Sequence, residues 1–136
     1  MIARKAPLRR GRPPKARSER ARSALIREAD RLFSAIIRRR GVCRFCGTGP
    51  AARLDCAHVF EKSWASLAVR WDERNALPLC RDCHRWGHAN KWEFLDRVER
   101  MLGADEYRAL REKAHAPLES KVDVLAEVER LRRLLV

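Results

Sequence analysis

Two cysteine pairs constrain this chain more than any other feature of its sequence. Cys43 and Cys46 form one C-x-x-C pair, and Cys80 and Cys83 form a second. The two-residue gap lets both sulfurs of a pair face one ion, and tetrahedral zinc takes four such ligands. We therefore predict one structural zinc that cross-links the two pairs, with no open position for a substrate. The fifth cysteine, Cys56, is expected to be a small buried apolar residue.

The charge is concentrated at the start of the chain. Residues 1–40 hold 14 basic and 3 acidic residues, so +11 of the net charge of +13 lies in this part of the 136 residues. Such a charge favours a polyanionic partner, because each neutralised phosphate releases condensed counterions. A solubilising tail is the alternative. The chain shows neither a long apolar run nor a signal-peptide pattern, which indicates a cytoplasmic protein with no membrane partner.

The pattern of apolar residues predicts a mostly helical chain with one short strand. We predict a basic arm without a packed core over residues 1–17 and a basic amphipathic helix over 18–40 that ends at Gly41. The zinc-bound core spans residues 41–91, with a strand at Leu54–Phe60 and a helix from Cys83 to Ala89. The remaining residues, 92–136, are expected to form three helices. All four tryptophans are expected to lie in the core.

The residues between and just after the cysteine pairs suit hydrolysis of a phosphodiester bond. That reaction needs a base for water and a cation beside the phosphate. A neutral histidine such as His58 can be the base near pH 7. His84 and His88 are four residues apart, so on a helix they share one face and can meet one metal ion.

The order His58, Asn75, His84, with the last histidine directly after the second cysteine pair, resembles the HNH endonuclease motif. The stretch from Asp55 to His58, the stretch from Arg70 to Asn75 and the helical tail are similar to phage recombination nucleases of the NinG (Rap) type. The resemblance implies an α+β fold, mostly helical, with a ββα-metal core in which zinc knuckles hold a small β-hairpin. It implies a DNA endonuclease that uses Mg²⁺ or Mn²⁺, in a bacterial host cell if the gene is phage-encoded.

Carried over by residue, the resemblance makes His58 the general base and Asn75 the residue that orients the base or contacts the metal. His84 becomes a metal ligand, and His88 a second ligand by spacing. Many members of the family have a ligand directly before the base, where this chain has Ala57. Asp55 faces away from His58 in a regular strand, so it reaches the metal only if the strand is irregular.

Several basic residues are candidates for DNA contacts. Arg10, Gly11, Arg12 and Pro13 resemble the core of an AT-hook, which reads the minor groove of A·T-rich DNA. Generic phosphate binding is the alternative for this arm. The candidate DNA-binding residues are Arg9, Arg10, Arg12, Lys62, Arg70 and Arg74, and for Arg70 and Arg74 a solvated face is an equal alternative.

Two questions stay open at this level. Val124, Val128, Leu131 and Leu135 form a stripe that suits the seam of a homodimer or packing against the rest of the same chain. The function is either that of a nuclease or that of a non-catalytic zinc-knuckle DNA-binding module. The complete HNH set favours the nuclease and Ala57 favours the module, while an RNA-binding zinc ribbon is a third, weaker reading.

Overall fold

The computed structural model describes residues 17–48, 53–117 and 122–136, and it confirms a mostly helical α+β fold with one small hairpin. The described elements, in chain order, are α1 (Arg17–Arg38), β1 (Leu54–His58), α2 (Leu67–Arg70), a 3-10 helix (Glu73–Asn75), β2 (Ala76–Cys80), α3 (Arg81–Ala89), α4 (Lys91–Leu102), α5 (Ala104–Ala114) and α6 (Val124–Leu135). The predicted arm up to residue 16, with Arg9, Arg10 and Arg12, lies outside the described residues. No described helix is long and apolar enough to span a membrane.

Strands β1 and β2 pair antiparallel, from Leu54 opposite Cys80 to His58 opposite Ala76. The predicted strand ran on to Phe60, but regular pairing ends at His58. The main-chain oxygen of Asn75 still accepts from Val59 N at 2.8 Å, and the Asn75 side chain then engages the Phe60 backbone. At this end of the hairpin, hydrogen bonds from the buried Asn75 side chain thus replace a further pair of main-chain hydrogen bonds between the strands.

The helix ends follow local chemistry. Gly41 and Gly103 have φ values of 92° and 89°, a left-handed conformation that favours glycine, and they follow α1 and α4 as predicted. Helix α3 begins at Arg81, two residues earlier than predicted. Its N-cap is Cys80, whose Sγ accepts a hydrogen bond from Cys83 N at 3.4 Å. A cysteine sulfur therefore takes the capping role that a Ser or Asp oxygen usually fills.

Two hydrophobic clusters hold these elements together. The first joins the hairpin to α4 and α5 through Val59, Leu79, Val98 and Leu110. Residues on both sides of the predicted boundary at residue 91 therefore share one hydrophobic cluster. Gly87 on α3 makes this packing possible, because a Cβ there would lie 2.8 Å from the Phe94 ring.

The second cluster joins α1 to α6. Val124, Val128 and Leu131 are buried against Phe33 and other apolar residues of α1. The stripe on α6 therefore packs within its own chain, which was the alternative to a homodimer seam. Arg39 also ties the two helices, because it donates to the main-chain oxygens of Leu134 and Leu135 at the end of α6.

The expectation that all four tryptophans lie in the core is wrong for three of them. Trp71 is buried, and its Nε1 donates to Asp30 at 3.0 Å. Trp64, Trp86 and Trp92 are exposed.

Candidate functional site

The four cysteines of the two C-x-x-C pairs come together in one cluster. Their sulfurs all lie within 4.8 Å of one another, and the Cys46 and Cys80 sulfurs are 3.7 Å apart. Four sulfurs at about 2.3 Å from a tetrahedral zinc are about 3.8 Å apart, so the cluster fits one zinc ion. Burial alone would raise the pKa of Cys43, but backbone N–H groups of Cys46, Cys80 and Phe45 hydrogen bond to its sulfur and lower the pKa to about 6. Burial and the neighbouring cysteine sulfurs raise the pKa of Cys83, so within the cluster Cys43 is the sulfur best suited to be a thiolate.

Helix α3 carries the second set of metal-binding groups. His84 and His88 are one turn apart, and their Nε2 atoms face each other at 3.2 Å. Two ligands in adjacent octahedral positions at about 2.1 Å from one ion are about 3.0 Å apart, so this pair fits a shared divalent ion. Within the described residues, the four cysteines are the only group of three or more His, Cys, Asp or Glu side chains that converge in this way. The histidine pair would therefore leave most coordination positions to water or phosphate.

Each of these two imidazoles has a carboxylate on its other side. His84 Nδ1 donates to Asp55 Oδ2 at 3.0 Å, and His88 Nδ1 lies 3.6 Å from Glu61 Oε1. Asp55 thus holds the ring of His84 through a hydrogen bond, while its role as a ligand of the catalytic ion stays a prediction. A carboxylate behind a ligating histidine fixes its tautomer and leaves the Nε2 lone pair free for the ion.

His58 lies at the end of β1, half-buried and next to α1. Its Nε2 donates to the main-chain oxygen of Arg70 at 3.2 Å, and its ring centroid is 5.7 Å from that of Phe33. In the neutral ring the lone pair is then on Nδ1, which is free to accept a proton. Burial lowers the pKa of His58 below its usual value of 6.5. The side chain is therefore neutral near pH 7, as a general base must be.

Asn75 is buried next to the site and acts on the backbone. Its side-chain oxygen accepts from Phe60 N at 2.9 Å, and its side-chain nitrogen donates to Phe60 O at 3.1 Å. Both polar atoms of the Asn75 side chain thus bind the backbone of Phe60, which lies two residues after His58. The structure places Asn75 as a residue that positions the end of β1, without a contact to the imidazole of His58.

The candidate phosphate-binding arginines are engaged inside the protein. Arg70 donates to both carboxylate oxygens of Asp30, at 2.8 and 2.6 Å. Arg74 does the same with Asp72, at 3.0 and 2.8 Å, and also reaches Glu106 at 2.7 Å. These bidentate pairs occupy the planar donor faces of both guanidinium groups. The contact of Arg70 with the site is made by its main-chain oxygen, which accepts the hydrogen bond from His58.

A cleft of about 430 Å³ brings the chemically active groups together. We call it the histidine cleft, and its lining residues are Cys56, His58, Glu61, Lys62, Ser63, His84 and His88. Lys62 is exposed there, 3.8 Å from Asp30. Cys56 lines the cleft as a half-buried residue, and burial raises the pKa of its thiol to about 11, so it stays protonated. Lys91 contacts Glu61 at 3.2 Å and lines the adjoining space beside His58.

Glu61, Lys91 and Asp30 were not identified from the sequence. Each acts through a long-range contact: Glu61 with His88, Lys91 with Val59 O at 3.3 Å, and Asp30 with Arg70. Nothing in their local sequence marks them. The only indirect signal was the position of Glu61 three residues after His58.

The hairpin, the following helix with its histidine pair and the four-cysteine cluster define an HNH-like α+β unit. Comparison with known families agrees, because the sequence model of the HNH endonuclease family matches residues 43–92. The matched stretch contains all four clustered cysteines and every residue of the histidine cleft. No curated protein and no solved structure matches the chain.

Proposed function

We propose that this protein is a metal-dependent DNA endonuclease that hydrolyses phosphodiester bonds in the histidine cleft. The observation that carries the proposal is the pair of facing Nε2 atoms of His84 and His88, in the same cleft as His58. The likeness of residues 43–92 to HNH endonucleases supports the same reaction. A Mg²⁺ or Mn²⁺ ion on the histidine pair would supply positive charge for the phosphate and its leaving oxygen.

The side chains of the cleft divide the remaining tasks. His58 accepts a proton at Nδ1 from the water that attacks phosphorus, while the bond from phosphorus to the leaving oxygen breaks. Asp55 and Glu61 hold the rings of His84 and His88. Lys62, exposed and 3.8 Å from Asp30, offers a positive charge to a phosphate oxygen, and Asn75 keeps the end of β1 in place.

The surface of α1 supports DNA as the substrate. Arg20, Arg27, Arg31 and Arg38 are exposed and follow one another at spacings of 7, 4 and 7 residues. Such spacings place all four on one face of the helix, opposite its buried residues. This arginine stripe extends for about 27 Å at 1.5 Å per residue, a length suited to the phosphates of a duplex.

One feature favours a second candidate function, that of a non-catalytic DNA-binding module. Ala57, which precedes the proposed base, is buried and has no ligand atom. The ion would then have only two protein ligands, His84 and His88. If it binds too weakly to support cleavage, the protein keeps the fold and the DNA-binding surface without the activity. A role in phage or prophage recombination, on branched DNA, is the finer form of the nuclease proposal and draws on the NinG-like sequence features alone.

Incubation of the purified protein with supercoiled plasmid separates the two candidates. The nuclease predicts nicked or linear product with Mg²⁺ or Mn²⁺ and none without an added divalent ion. Binding without product at any concentration of either ion would support the module. A panel of labelled duplex, flap and four-way junction substrates then tests the finer proposal.

A further inference from the structure

A second groove lies directly beside the histidine cleft and is lined by aromatic rings. It measures about 460 Å³, and Phe60, Trp64, Trp92, Tyr107 and His115 contribute their rings to it. The whole chain holds only nine Phe, Tyr and Trp residues, so four of them meet in this one place. We refer to it as the aromatic groove.

The rings of the groove form a packed wall with one free face. The Trp64 ring centroid lies 5.8 Å from that of Phe60 and 5.3 Å from that of His115, and Phe60 lies 5.9 Å from Tyr107. Trp92 is 83% exposed and makes no ring contact of this kind within the described residues. An exposed indole next to a fixed aromatic wall has an open π-face that a flat ring can cover.

One residue, Lys91, connects the groove to the space beside the three cleft histidines. Lys91 lines the aromatic groove and also the space beside His58, His84 and His88. Phe60, which forms part of the groove, is the residue whose backbone Asn75 holds, two positions after His58. Lys91 and Phe60 therefore link the lining of the groove to residues next to the cleft.

The charge of the groove suits a base better than a phosphate. Lys91 and Arg111 are balanced by Asp96 and Glu99 on the same rim. A near-neutral, ring-lined space does not attract a polyanion, whereas the carboxylates can accept hydrogen bonds from the amino edges of bases. The phosphates would instead follow basic surfaces such as the arginine stripe.

From this geometry we infer that the aromatic groove binds an unpaired base of the DNA substrate, stacked on Trp92 and Trp64, next to the bond that is cut. The inference rests on the proposed nuclease function and names its substrate class: DNA with a single-stranded or extruded nucleotide at the cleavage site. Aromatic stacking tolerates any base, because every base has a π-face.

The test measures the binding of a labelled dT12 and of a base-free 12-mer of abasic deoxyribose phosphate, in buffer without added divalent ion. We expect the parent protein to bind dT12 about tenfold or more tightly than the base-free strand. Trp92→Ala should reduce this ratio to about two or less, with little change in affinity for the base-free strand, and Trp92→Phe should retain most of it. Trp86→Ala, which removes an exposed indole outside the groove, is the matched control and should keep the parent ratio.

Two results would overturn the inference: a parent ratio near one, as expected if the groove receives a peptide instead, or an unchanged ratio in Trp92→Ala. Trp92 is so exposed that its replacement should leave the thermal midpoint unchanged, which a melting curve verifies. Failure of the proposed function has a different signature. In that case the base-dependent binding persists while no divalent ion supports cleavage.

Discussion

Each imidazole of the histidine cleft suits its task in only one tautomer, and a neighbouring acceptor selects that tautomer. Asp55 accepts a hydrogen bond from Nδ1–H of His84, which leaves the lone pair on Nε2, towards His88. The main-chain oxygen of Arg70 accepts a hydrogen bond from Nε2–H of His58, which leaves the lone pair on Nδ1 for the base role. The two histidines therefore expose opposite nitrogens, one suited to an ion and the other to a proton.

The lowered pKa of His58 leads to a prediction for the pH dependence of cleavage. The base must be neutral, so the rate should rise with pH through a pKa below 6.5 and be level by pH 7. The measurement is the cleavage rate from pH 5 to 8 at several saturating Mn²⁺ concentrations. A rise that moves to lower pH as Mn²⁺ increases would point to protonation of metal ligands, and it would contradict assignment of this step to His58.

Asp55→Asn tests the carboxylate behind His84. An amide holds the imidazole less firmly and makes the ring less basic, so the protein should need about 10- to 100-fold more Mn²⁺ for half-maximal cleavage. The maximal rate at high Mn²⁺ should recover substantially. Asp105→Asn, at a carboxylate 97% exposed on α5, is the control and should change neither quantity. An unaltered Mn²⁺ requirement in Asp55→Asn would show that Asp55 does not support the ion.

At the scale of elements, the cysteine cluster fixes how β2 continues into α3. Cys80 ends β2, caps α3 and contributes a sulfur to the cluster. His84 and His88 lie one and two turns into that helix. A zinc ion bound by the four cysteines would therefore fix the direction of the helix that carries the histidine pair.

Cys80→Ser should therefore remove zinc and unfold the core, because the binding free energy of a structural zinc is part of the folding free energy. Elemental analysis and circular dichroism measure the two effects. Cys56→Ser replaces the cysteine outside the cluster, so one zinc per chain should remain bound. Well-folded protein without zinc, in either the parent or Cys80→Ser, would refute a structural role for the metal.

The elements could be predicted from the sequence to the extent that they depend on local signals. The cysteine spacing, Gly41, Gly103 and the apolar periodicity of α1 and α6 are such signals, and these features agree with the structure. The tautomer contacts are different, because Asp55 meets His84 across 29 residues and Asp30 meets Arg70 across 40. Spacing in the sequence does not reveal which side chain will lie behind another once the hairpin has formed.

On the scale of the whole molecule, the two ends of the described chain support the site together. Helix α1 supplies Phe33 against His58 and Asp30 against Arg70, and α6 packs against the buried residues of α1. Leu131→Ala should lower the free energy of unfolding by about 2–5 kcal/mol, because it opens a cavity between these helices. The control is Leu134→Ala, at a residue 37% exposed on the same helix, which should cost clearly less in the same urea titration. Equal losses would contradict the packing of α6 on α1.

His58 is proposed to accept the proton and His84 to bind the ion, and metal rescue separates these two tasks. Cleavage by His58→Ala and His84→Ala is measured across a Mn²⁺ titration, with zinc content and circular dichroism as checks of folding. We predict that His58→Ala is about 100- to 10,000-fold slower than the parent at every Mn²⁺ concentration, whereas His84→Ala recovers part of its activity as Mn²⁺ rises. Near-parent cleavage by His58→Ala, or its rescue by Mn²⁺, would contradict the central claim.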